Sequence, residues 1–504
     1  MQEINNIDMD ERYIATVDLG TSKLALSVAK VNGDNTEILY YKERPSEGVR
    51  YGCIYNPTKA AQPLREAIDE VEEELEIKIT QVVIGLPRYG VTQETAGAEV
   101  ERSDADACIS QEEIDTIKNL ALDSYPLDDE QKQEIYGAAA QSFSTDDAMN
   151  CTEEDVVGMP SAKLKGNFKV FVGLKNASRN IDIMLNKAEV APACKYFLPP
   201  VTADAVLTGE EKDNGVALIE MGSGVTSLTI YQGDILRYYY AIPFGGKSIT
   251  NDIKLECGFT KHLAENIKLG FGACLPDKLQ SMSDKVLQIR DEENGNTQQL
   301  PVKYLSEIID SRVREIVAAI LFKIQESGYA DRLRNGVVLT GGCANLTNCA
   351  NLIKEMSGYN VRIGFPRLKN FTHSECPGIG ETSAVSSIGL LILARQNRHL
   401  NCTDEFITPR PKSEATRILE NAAAESSAKK EQQTAKETEK DEGAQDFRET
   451  VFESGPKETE APRKPSRFRQ NLVTWTKRIS KVAVKPVEEF VGGLYDDMDK
   501  NDDN

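Results

Sequence analysis

Two turns separated by about two hundred residues carry the chemistry-bearing groups of this chain. The first is Asp18-Leu19-Gly20-Thr21-Ser22-Lys23, set in "YIATVDLGTSKLALSVAK". The second is Glu220-Met221-Gly222-Ser223-Gly224-Val225-Thr226, set in "GVALIEMGSGVTSLTIYQGDIL". Each reads as strand, acid-x-Gly, small hydroxylic residues, strand. Successive turn N–H groups form a concave nest for an anion, and Thr21, Ser22 and Lys23 add hydroxyl and ammonium donors. A carboxylate such as Asp18 suits an anion site only beside a cation, so the combination suggests a metal-bound phosphate. A single turn of this kind reads equally as a β-hairpin with a polar tip; its duplication suggests two similar α/β halves facing a shared cleft. A third element, "NGVVLTGGCANLTNCANLIKEM", gives a buried strand, Val337 to Leu339, then Thr340-Gly341-Gly342 and a helix from about Leu346. Paired glycines after a strand let a ligand approach the backbone closely, here the base or sugar of a nucleotide.

The positioning elements are legible around these turns. "LREAIDEVEEELEI" reads as a helix and "QVVIGLP" as a strand of the first half. Residues about 87 to 167, with the helix "SQEEIDTIKNLAL" and polar strands, read as an insertion, after which the first half resumes at residue 168. The second half begins near Gly215, takes a helix-rich insertion at about 248–330 and resumes near Asn335. The apolar run Ser383 to Ala394 is too short to span a bilayer and reads as a core helix.

Composition narrows the function classes. A net charge of -21 disfavours general nucleic-acid binding, which needs clustered Lys and Arg. Ten cysteines without a Cys-x-x-Cys pair and only three histidines disfavour zinc and a disulfide framework; free thiols in a reducing compartment are expected. The N-terminus "MQEINNIDMDER" is not a signal peptide. From about Asn401 the sequence is rich in Glu, Lys, Ala, Thr and Ser, and residues 401–465 read as a disordered linker. Beyond it, Phe468, Leu472, Trp475, Ile479 and Val482 recur at helical spacing, with Lys477, Arg478 and Lys481 on the polar side. A cationic amphipathic helix with Trp on its apolar face suits an anionic lipid surface.

The two hairpins and the Gly-Gly turn resemble the phosphate-1, phosphate-2 and adenosine motifs of the actin/DnaK/sugar-kinase ATPases. "YYYAIPFGGKSITNDIKLECGFTKHLAENIKLGFG" narrows the likeness: a Gly-Gly-x-x-Ile-Thr-x-Asp-Ile block followed by Ala-Glu-x-Ile-Lys resembles the bacterial cell-division FtsA family, over roughly residues 12–396 and again in the C-terminal helix. The resemblance implies an α/β, actin-like two-lobed fold with inserted subdomains, a disordered linker and a membrane-targeting helix. Its subdivision would be first-lobe core at 12–86 and 168–213, a first insertion at 87–167, second-lobe core at 214–247 and 331–396, a second insertion at 248–330, the linker, and the helix at 466–495. It implies ATP and Mg²⁺ as cofactors, with Asp18 near the metal, Asp18 and Glu220 as the catalytic carboxylates, and Gly20, Thr21, Ser22, Lys23, Gly222, Ser223, Gly224 and Thr226 on phosphates. Glu265 and Lys268 match ribose- and adenine-contacting positions, and Gly341 and Gly342 the adenosine motif. Implied partners are the tail of the tubulin-like protein FtsZ at the second insertion, further copies of the chain in a polymer, other division proteins at the first insertion, and the anionic inner membrane. The implied location is the cytoplasmic face of that membrane at the division site. The chain departs from the family at Glu220 and near Ser227, where Asp is usual, and at Ser223, where Gly is usual. No carboxamide or carboxylate stands near Pro199, where a water-positioning group is usual, so ATP binding is expected with slow hydrolysis at most. Alternatives within the superfamily are a small-molecule kinase, which needs a catalytic acid not found here, and a pilus-assembly relative, which should lack the C-terminal helix. A DnaK-type chaperone would continue into a β-rich domain, and a structural protein with a vestigial nucleotide site remains a further reading.

Overall fold

The computed structural model describes residues 11–290, 297–369, 371–373 and 376–403. The expected amphipathic helix and all but the first three residues of the expected linker lie outside them. Two sheets of matching topology form the frame. The first runs in the order Ala191–Phe197, Gln81–Leu86, Glu11–Leu19, Lys23–Asn32, Asn35–Pro45, Thr372–His373. The second runs Val361–Ile363, Val337–Thr340, Val216–Met221, Thr226–Gln232, Ile235–Ile242. In each, three consecutive strands pair antiparallel and two more add in parallel beside the first of them. The lone Thr372–His373 strand at the edge of the first sheet is what breaks the match.

The partial alternation in the first strand follows from its place. From Ile14 to Leu19 every residue is buried, as expected for a central strand covered on both faces. One cover is the Pro57–Leu75 helix, started by Asn56, whose side chain accepts from Lys59 N–H at 3.1 Å, with proline in its first turn. It buries Ala60, Leu64, Ala67, Ile68 and Val71, one face at helical spacing. The apolar run near the end of the chain is the helix Val385–Ala394, its residues Ile388, Leu390 and Leu391 fully buried. Among the described residues no helix is long and apolar enough to cross a membrane, and the ten cysteines are free thiols.

The segment between the first-lobe strands forms a separate small sheet, Thr92–Glu101, Lys163–Leu174, Gln133–Ser144, covered by the helix Gln111–Asp123. Its last strand departs from the sequence reading. Residues 168–174 do not return to the first lobe: the strand stays paired to Leu174, opposite Gln133, and the lobe resumes with the helix Lys175–Lys187. Phe168, Val170 and Val172 pack in the small sheet's core while Phe171 packs in the main one. Burial on both faces makes this strand look like a lobe strand in sequence.

Candidate functional site

The two hairpins are the same turn twice. Gly20 N–H donates to Lys23 O at 2.9 Å, and Gly222 N–H to Val225 O at 2.9 Å. The carboxylates occupy equivalent registers, two residues before each glycine: Asp18 opposite Ala25, Glu220 opposite Ser227. The turn tips meet. A Cβ on Gly224 would lie 2.6 Å from Thr21 Oγ1, so only glycine allows this approach. Thr21 Oγ1 in turn accepts from Gly52 N–H at 2.8 Å, which fixes the tip of the first hairpin.

A cleft of about 750 Å³ opens beside these tips, within the size range of small-ligand pockets. It is lined by Asp18, Gly20, Thr21, Ser22, Lys23, Glu220, Gly222, Ser223, Gly224, Glu265, Lys268, Gly341 and Gly342. Thr226, expected on phosphate, is not among the lining residues. It is fully buried in its strand and its hydroxyl donates to Phe244 O at 2.8 Å. Ser22 is exposed and available to a ligand, whereas Lys23 is neutralised by an ion pair with Glu43.

The Gly-Gly pair divides two tasks. Gly341 has φ +87°, and a Cβ there would lie 2.6 Å from Met221 O, so this glycine is needed for strand-to-strand approach. A Cβ on Gly342 would meet nothing within 4 Å. Gly342 opens the short turn Gly342–Asn345 and faces the cleft, leaving room for a group to lie against its backbone. Next to it, Cys343 lies with Sγ 3.3 Å from Gly222 O, and burial pushes its thiol up to about 12.

Beside Gly246, Lys268 is buried with all three ammonium donors used. They reach Gly246 O at 3.0 Å, Thr250 Oγ1 at 2.9 Å and Glu265 Oε2 at 2.8 Å. Lys268 therefore stiffens the cleft wall here, and the half-exposed Glu265 carboxylate presents the polar face to a ligand.

Sequence reasoning missed Arg88. It follows the strand Gln81–Leu86, and its guanidinium grips Glu220 at two points, Nε to Oε2 at 3.0 Å and Nη2 to Oε1 at 2.8 Å. It also donates to Ser386 Oγ at 2.6 Å and to Thr202 Oγ1 at 3.2 Å. Thr202 lies on the helix Leu198–Val206, about a turn beyond Pro199. Arg88 thus occupies the neighbourhood where no water-positioning carboxamide was found. Its position at the C-terminal end of a sheet strand was the signal available in the sequence, since ligands in α/β sheets bind there.

Asp18 is buried, and burial raises its carboxyl above the usual value; Arg88 opposes the shift and Glu220 adds to it. A buried carboxylate without a tight cationic partner suits a site completed by a bound cation. Among the described residues no group of three or more His, Cys, Asp or Glu is arranged to hold a metal ion. A hard cation here would rest on Asp18, ligand oxygens and water, as Mg²⁺ does beside phosphates.

Comparison with known proteins agrees with this architecture. The family model described as cell division protein FtsA matches residues 217–386, which contain the second hairpin, the Lys268 wall and the Gly-Gly turn. The cell division protein FtsA of Neisseria meningitidis is 27% identical over 423 residues, covering 82% of this chain and 96% of the relative. That of Borreliella burgdorferi is 29% identical over 399 residues, covering 78% and 93%. The chain is similar to the FtsA family. Among solved structures, a chain from a PilM-PilN type IV pilus biogenesis complex matches with a TM-score of 0.53 and 16% identity, covering 75% of this chain and 98% of that one. The likeness is one of fold, and the fold is actin-like.

Proposed function

We propose that this chain is an FtsA-type, actin-like cell-division protein that binds Mg-ATP in the cleft between its hairpins. It polymerises with further copies and tethers FtsZ to the cytoplasmic face of the membrane at the division site. The observation that supports this reading best is the convergence of two registered acid-x-Gly hairpins on one cleft that also receives the open backbone of Gly342. In it the free turn groups of both hairpins hold phosphates, Asp18 anchors the cation, Glu265 meets the ribose and Gly342 admits the base or sugar. The cation's chemistry is charge neutralisation of the phosphates. Arg88 holds Glu220 in a two-point pair, which restrains that carboxylate from acting on water and favours slow hydrolysis. Thr226 is left out of the phosphate set, and Lys268 acts by holding Glu265.

The insertion near 248–330, built from the helices Gly246–Cys257, Lys261–Phe271 and Val302–Glu326, would receive the FtsZ tail. The small sheet would receive other division proteins, and residues 466–495 the anionic membrane. The test is co-sedimentation of the full chain with anionic vesicles and an FtsZ tail peptide, with and without ATP. Vesicle-bound chain that carries the peptide supports the tether; chain that stays in the supernatant, or pellets without peptide, opposes it. A second reading, an interaction protein with a vestigial nucleotide site, is favoured by the Arg88–Glu220 pair, and absence of nucleotide binding would select it.

A further inference from the structure

The cations that line the cleft already have carboxylate partners. Lys23 pairs with Glu43, Arg88 with Glu220, Lys268 with Glu265 and Lys278 with Glu355. Lys247, at the start of the helix Gly246–Cys257, is not itself among the lining residues but is bonded to two that are, Thr21 and Ser223. Its backbone N–H donates to Ser223 O in the second hairpin at 2.7 Å. Its Nζ donates to Thr21 O in the first hairpin at 2.8 Å. One residue therefore joins the two turn tips, and its charge is held by a neutral carbonyl.

An ammonium has three N–H donors, and the Thr21 carbonyl takes one. Burial lowers the affinity of this lysine for its proton, and the nearby charges of Lys261, Arg50 and Lys268 act in the same direction, opposed by Glu265. A half-buried cation among other cations gains most from an added anion, because the anion relieves both the desolvation and the repulsion.

We propose that Lys247 is the residue by which the cleft prefers a nucleoside triphosphate to the diphosphate. The two ligands differ by one terminal phosphate and its charge. The turn nests offer N–H dipoles to whichever phosphates are present. Lys247 brings to the junction of the two tips a charge that, among the described residues, is in ion-pair contact with no carboxylate, so it responds to the added charge of the terminal phosphate. Because the same residue ties both hairpins, it also carries the presence of that phosphate to both lobes. The proposal rests on the nucleotide-binding reading of the cleft.

The test measures binding of a non-hydrolysable ATP analogue and of ADP, each with Mg²⁺, to the full chain and to its Lys247→Met and Lys247→Arg variants, with thermal melting of each. The expected result for Lys247→Met is a loss of roughly tenfold or more for the triphosphate, the scale of removing one partner of a desolvated charge pair, with ADP changed about threefold or less. Lys247→Arg should keep most of the preference. Equal losses for both nucleotides would reduce Lys247 to a tie between hairpins, and unchanged binding of both would remove it from the phosphates. Failure of the unaltered chain to bind either nucleotide would overturn the reading of the cleft itself, a result distinct from the other two.

Discussion

Replacing Gly342 by valine should weaken nucleotide binding and spare the fold, while the same change one residue earlier should destabilise the fold. At Gly342 a Cβ meets nothing within 4 Å, and φ does not lie in the left-handed region. The side chain would stand in the cleft. In the free protein the loss of glycine's extra unfolded-state freedom offsets the small cost of an exposed branched side chain, so the net change should stay within about 1 kcal/mol. A ligand lying against that backbone would collide with the two methyl groups. Overpacking of this kind costs ~1–3 kcal/mol, a roughly fivefold to hundredfold loss of affinity. At Gly341, with φ +87° and Met221 O 2.6 Å from the added Cβ, left-handed strain of ~1–2 kcal/mol adds to overpacking of ~1–3 kcal/mol. The free protein should then melt several degrees early. The assay is titration of a fluorescent ATP analogue with Mg²⁺, paired with thermal melting without ligand. If Gly342→Val melts as early as Gly341→Val, or binds the analogue as tightly as the parent, the reasoning about this turn is refuted.

Asp18→Asn should have opposite effects on binding and on stability. It should weaken Mg-nucleotide binding by removing the cation's charged anchor. Because the folded carboxyl binds its proton more tightly than the unfolded one, ionised Asp18 destabilises the free protein at neutral pH. The variant should therefore melt later than the parent at pH 7–8, with the advantage fading as the pH falls to the ordinary carboxylate range; an earlier melt at pH 7 contradicts this. Arg88→Ala should cost more stability than Glu220→Gln, since it leaves Glu220 without its two-point partner and Asp18 without its opposing charge, and denaturant midpoints compare the two. Deleting residues 466–504, or Trp475→Glu, should release the chain from anionic vesicles while nucleotide binding persists, and equal sedimentation of intact and truncated chains would defeat the membrane assignment.

The duplicated hairpins were legible because each acid-x-Gly turn is a local pattern, set within eight residues and flanked by apolar strands. The core helix at Val385–Ala394 and the strand Val337–Thr340 were legible for the same reason. What escaped was set by distance along the chain. Arg88 and Glu220 meet across 132 residues, and nothing local marks either as the other's partner. Lys268 looked like a ligand-facing cation, yet the carbonyl of Gly246 and the hydroxyl of Thr250 on a neighbouring helix use up its donors. Thr226 belongs to the hydroxylic run in sequence, but it lies one residue past the turn, where strand pairing turns its hydroxyl toward Phe244 O. The small sheet's last strand was misplaced because a strand buried on both faces has the same signature in either sheet.

The central claim is that the two hairpins and the Gly-Gly turn form one Mg-ATP site. Calorimetric titration of the unaltered full chain with ATP, in the presence and absence of Mg²⁺, tests it most directly. The account predicts saturable binding of one nucleotide per chain, weakened when Mg²⁺ is withheld. No saturable binding, or binding at several equivalent sites indifferent to Mg²⁺, would contradict it.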